Sequence, residues 1–66
     1  MLVAIYLNHK EYANRNYQGV PREGERILLG TDVFIIKHTV WRDPDIRDRY
    51  TADIYVVEDN QCKLTN

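Results

Sequence analysis

The sequence predicts an all-β domain, a small and strongly bent antiparallel sheet or barrel of about five strands, and three observations carry that prediction. Apolar residues recur with period two in runs rich in Val, Ile, Tyr and Phe, the spacing of half-buried strands. Gly, Pro and Asn punctuate those runs at turn-length intervals. The chain has 66 residues, enough for a single domain spanning 1–66. A domain of this size buries only roughly 60% of its unfolded surface, so self-association is an expected source of further stability.

The elements follow in chain order. Val3, Ile5 and Leu7 alternate with Leu2, Ala4 and Tyr6, which predicts a first strand. "NHKEYANRNYQG" is polar and Asn-rich; Asn8 with Glu11 three places on has the form of a capping box and Gly19 of a helix stop. A long loop with one short helical turn is therefore expected over these residues. "VPREGER" combines a Pro21 that cannot donate to a ladder with a Gly24 suited to a tight bend, a turn feeding a strand over Arg26 to Leu29. Gly30-Thr31 carries glycine at the first central position, as a two-residue type II′ hairpin turn requires. Asp32 to Trp41 make the longest strand. "RDPDIRDRY" is a polar connection with Pro44 at its tip, and Thr51 to Val57 alternate again. Asp59-Asn60 suits a turn before a short last strand near Cys62 to Leu64.

The order of strands and the long first loop resemble an SH3-like small barrel. "VPREGERILL", "DVFIIKHTVW" and "ADIYVVE" together are similar to short uncharacterised β-proteins of bacteria and their phages. The resemblance covers most of the chain and implies a fold; it assigns no functional residue.

A two-residue turn at Gly30-Thr31 sets the hairpin register. Leu29 then faces Asp32, Leu28 faces Val33, Ile27 faces Phe34 and Arg26 faces Ile35. One face carries Ile27, Leu29, Phe34, Ile36, His38 and Val40, joined by Val3, Ile5, Leu7, Ala52, Ile54 and Val56; this is the expected core. The other carries Leu28, Val33 and Ile35, then Lys37, Thr39 and Trp41, with Tyr55 and Val57 beside them. Either residues 8–18 or the C-terminal tail cover that second face, or a second copy of the chain does. A contiguous apolar patch favours the copy, with Leu28, Val33 and Ile35 as the homo-oligomer interface. A bulge near Lys37 would shift the register and turn Trp41 to the core side.

Composition narrows the chemistry. Net charge is −1, whereas nucleic-acid modules ordinarily carry a basic excess to neutralise phosphates, so nucleic-acid binding is disfavoured as a partner class. "MLVAIYL" is too short for a membrane span or a signal-peptide core. A single cysteine, Cys62, excludes an internal disulfide framework and suits a reducing, cytoplasmic location. The chain has no serine, and neither His9 nor His38 has an evident nucleophile to activate. Asp43, Asp45 and Asp48 alternate with arginines and lack the glycine and terminal glutamate of a calcium loop. Glu23, Glu25 and Asp53 do not form a paired-carboxylate site. No catalytic residue, metal or cofactor is nominated, and an enzyme is not expected.

The positive signal is the clustering of five Tyr, one Trp and six Arg. Tyr12, Arg15, Asn16 and Tyr17, followed by Arg22 and Arg26, form one group; Trp41, Arg42, Arg47, Arg49 and Tyr50 form another. These residue types dominate binding hot spots, Arg forks onto phosphates, and aromatic rings stack on bases. They predict a stoichiometric binding protein for an anionic small molecule such as a nucleotide. A phage- or mobile-element-encoded antagonist of host defence would have this size and chemistry. A module that blocks a host protein's surface is the alternative, and a single-stranded nucleic-acid-binding barrel a further one.

Overall fold

The computed structural model describes residues 1–43 and 49–59. Its elements are β1 (Leu2–Leu7), β2 (Lys10–Asn16), β3 (Arg26–Leu29), β4 (Asp32–Trp41) and β5 (Ala52–Glu58). They form one sheet in the order β2-β1-β5-β4-β3, curled through 210° into a half-barrel. The all-β expectation holds. The expected strand near Cys62 to Leu64, Pro44, Asp45, Arg47 and Asp48 lie outside the described residues.

The first correction is at Asn8. No capping box or helical turn forms; Asn8 and His9 have φ of 55° and 66°, and Leu7 pairs directly with Lys10. Positive φ at both central residues is the type I′ geometry, whose twist matches that of the flanking strands. The chain therefore doubles straight back as β2. Six of the seven β2 residues are exposed, because this is an edge strand with little of its surface against the core. Such a strand need not show apolar alternation. One irregularity falls between Ile5 and Tyr6, where Ile5 pairs with Ala13 and Tyr6 with Glu11. Tyr12 is the extra residue, and its ring meets that of Phe34 at 5.6 Å between centroids.

Three of the four strand pairings are antiparallel, and β1 pairs with β5 in parallel, Ile5 opposite Ile54. The hairpin register of β3 and β4 is the expected one. Gly30 has φ of 64° while Thr31 stays out of the positive region, which agrees with a type II′ turn. The core lies on the concave side, built from Val3, Ile5, Leu29, Phe34, Ile36, Ile54 and Val56. Each buried side chain of this size contributes about 1.5–3 kcal/mol.

The second correction is a β-bulge in β4. Ile36 pairs with Val56, but His38, not Lys37, pairs with Tyr55. Beyond Lys37 the faces exchange. His38 and Val40, expected in the core, stand exposed on the convex side, Val40 by 48%. Thr39 and Trp41 turn to the concave side, in line with Ile54 and Ala52.

Residues 17–25 cross the open end of this concavity. Tyr17 and Val20 pack against the core cluster, the Tyr17 amide donates to Met1 O at 2.8 Å, and Thr39 Oγ1 donates to Pro21 O at 3.0 Å. The Glu25 amide bonds Arg22 O at 3.1 Å, and Gly24, at the third position of that turn, has φ of 88°. This is the type II arrangement, which requires glycine there. The segment thus covers the first face of the sheet rather than the second.

The convex face is closed in part by the chain's own polar groups. Arg26 Nε donates to Asp59 Oδ2 at 2.5 Å, across the β4 row that holds Val33 and Ile35. Val33 and Ile35 are half-buried, while Leu28 remains 55% and Val57 42% exposed.

Candidate functional site

The bulge at Lys37 positions the site. It brings Trp41 to the concave side past the last core layer, where its indole stays 60% exposed. Trp41 and Thr39 form one wall of an open cleft of about 580 Å³; Val20, Pro21, Arg22 and Glu23 form the other, with Met1 at one end. That volume falls within the about 300–1,000 Å³ of small-molecule sites. The Thr39–Pro21 hydrogen bond ties the two walls together. Arg22 is exposed, and its backbone amide is held by the Glu25 carboxylate. The cleft therefore combines an accessible indole, an apolar floor, a guanidinium and a carboxylate.

The remaining expected site residues are distributed elsewhere. Tyr12 and Arg15 line a second open cleft of about 700 Å³ between β2 and the Gly30-Thr31 turn. Arg15 Nη1 donates to Asn14 O at 2.7 Å. Asn16 Oδ1 and Tyr17 O both accept from the Met1 amino group, at 2.9 and 2.5 Å. Desolvation raises the Tyr17 phenol above its ordinary value of 10.0, and the Arg15 charge partly opposes that rise.

Arg42 and Tyr50 belong to the convex face. Arg42 donates from Nε and Nη2 to Asp53 Oδ1 at 2.9 and 2.6 Å, and its guanidinium lies 4.7 Å from the Tyr50 ring centroid. Tyr50 in turn donates to Glu11 Oε2 at 3.3 Å. Desolvation first, then the Glu11 charge and this hydrogen bond, raise its phenol pKa, with Arg42 opposing. The Tyr50 side chain thus links Arg42, just past the end of β4, to Glu11 on β2. Arg26 is engaged by Asp59, Arg49 is exposed, and Arg47 lies outside the described residues.

The structure thus brings together Trp41 with Arg22, Tyr12 with Arg15, and Arg42 with Tyr50, in three separate places. Sequence reasoning missed Thr39 and Pro21 as the clamp on the first pair. It also missed a stacked pair on the convex face, Tyr6 and Tyr55, with centroids 5.0 Å apart and planes at 20°. That pairing depends on the parallel β1–β5 register, for which a single sequence carries no local signal. Among the described residues, no group of three or more metal-ligating side chains occurs. Among them, no helix is long and apolar enough to cross a membrane. Comparison with models of protein families, with curated proteins and with solved structures finds no match.

Proposed function

We propose that this chain is a non-enzymatic, stoichiometric binding protein that takes a nucleotide-like anion in the cleft between Trp41 and Arg22. The observation that carries the reading is the indole of Trp41, 60% exposed at the mouth of a cleft whose opposite wall includes an accessible arginine. A large aromatic left in water beside apolar walls gains by stacking on a planar ring, about 1–3 kcal/mol per base. Arg22 supplies the fork for a phosphate group, and Glu23 an acceptor for a ring amino group. Sequestration of a signalling nucleotide, as by an antagonist of host defence, is the biological role this chemistry suits.

Trp41 is the sole tryptophan, so its fluorescence reports the site directly. Titration with nucleoside phosphates should quench that emission in a saturable way. Arg22→Ala should weaken binding about tenfold or more, the loss expected when one charge-assisted contact disappears. Trp41→Ala, followed by calorimetry, should abolish binding without unfolding the domain. If no nucleoside phosphate quenches the wild-type emission at millimolar concentration, the reading fails.

Docking onto a protein surface is the second reading, favoured by the exposure of Leu28, Val40 and Val57 on the convex face at 55%, 48% and 42%. Leu28 and Val57 flank the half-buried Val33 and Ile35 across the register, and a contiguous apolar patch of this kind marks a protein interface.

A further inference from the structure

Two backbone irregularities meet at a second place. His9 occupies a left-handed conformation, φ 66°, which a residue with a Cβ adopts only at a steric cost. Lys37 is the extra residue of the β4 bulge, and His38 follows it. Bulges and strained turns recur beside functional sites, where they re-aim side chains. His9, Lys37 and His38 all line one cleft of about 260 Å³ on the convex face, together with the stacked Tyr6 and Tyr55. His38 is the register neighbour of Tyr55, and Tyr55 of Tyr6, so the imidazole and the two phenols form one row. The only carboxylate in that row, Glu11 opposite Tyr6, already accepts the Tyr50 hydroxyl.

We infer that this cleft binds a small phosphate monoester, the phosphate held by Lys37, His9 and His38 and its organic group laid against the Tyr6–Tyr55 pair. An ammonium and two imidazoles supply N–H donors from two sides of the cleft, the arrangement that suits a tetrahedral oxyanion with several acceptor oxygens. The aromatic wall adds affinity for an attached ring, so a free phosphate should bind more weakly than an aryl phosphate. The site shares no residue with the Trp41 cleft, and its occupancy does not depend on that cleft's ligand.

The chain has two histidines, both in this cleft, so their imidazole NMR signals test the inference. Phenyl phosphate should move both signals along one saturating curve; inorganic phosphate should do so about tenfold more weakly, the loss of one ring-stacking contact of about 1.4 kcal/mol. Chloride at matched ionic strength should leave them in place. Lys37→Ala and His38→Ala should each remove saturation, while Trp41→Ala should preserve it. His9→Gly separates function from folding: glycine suits the positive φ, so the variant should be at least as stable as the parent and yet lose the phosphate. Shifts that are linear, equal for chloride and phosphate, or confined to one histidine would overturn the inference. So would a His9→Gly variant that binds phenyl phosphate as the parent does.

Discussion

Replacing Thr39 by valine removes one hydroxyl at almost constant shape, and the structure allows its cost to be worked out. Thr39 Oγ1 donates to Pro21 O at 3.0 Å in a partly buried position. Its β-carbon sits on the concave side because of the Lys37 bulge, in register with Ile54. Valine keeps the methyl contact with that core layer and deprives the Pro21 carbonyl of its donor. A lost hydrogen bond of this kind costs about 1 kcal/mol, towards 0.5 where water can replace it and towards 3 where it cannot. In a domain of this size 1 kcal/mol lowers the melting temperature by about 4–8 °C. Urea unfolding followed by Trp41 emission should therefore show a lower midpoint with an unchanged slope. Thr39→Ser, which keeps the hydroxyl, should keep the Pro21 bond and lose only a methyl's worth of packing. Because Pro21 is the wall opposite Trp41, Thr39→Val should also weaken the nucleotide-dependent quenching. A valine variant with the parent's midpoint would show that this hydrogen bond does not hold residues 17–25 across the barrel end.

Two further outcomes are expected. Leu28→Glu changes a side chain that is 55% exposed, so circular dichroism and stability should stay within about 0.5 kcal/mol of the parent. If copies associate through Leu28, Val33 and Ile35, sedimentation will show the parent as an oligomer and the variant as a monomer; equal sizes remove that interface. Tyr17, whose phenol is raised above 10.0 by desolvation, contributes stability that is complete below pH 10.0 and lost as pH rises through the higher folded value. Tyr17→Phe should therefore flatten the alkaline limb of the stability profile above pH 10.0 while leaving neutral pH little changed. A parent and variant that lose stability in parallel would assign the alkaline limb to other groups.

The hairpin from Arg26 to Ile36 was legible because its information is local. Alternation assigned Ile27, Leu29, Phe34 and Ile36 inward, and Gly30 marked the turn; all four side chains are buried or half-buried on the concave side. Local information misled at Asn8, where the residue that caps helices is also one that tolerates left-handed backbone. The competing hairpin won because β2 closes a ladder along the whole of β1. Candidate binding residues were legible as types and illegible as a site. Arg22 and Trp41 stand 19 positions apart and meet only because a bulge turns one strand over and a loop is clamped against it.

By itself the sequence determined an all-β domain, its central hairpin and most of its core, since period-two burial and turn glycines act over a few residues. Tertiary structure alone decided the rest: the parallel pairing of β1 with β5, and the extra residue at Lys37 that exchanges the faces of β4. Each of these is set by packing between segments remote in the chain. A one-residue bulge costs little locally, yet it moves every later side chain to the opposite face. The same bulge exposes His38 and Val40, turns Thr39 and Trp41 inward, and so shapes the Trp41 cleft and the His38 cleft.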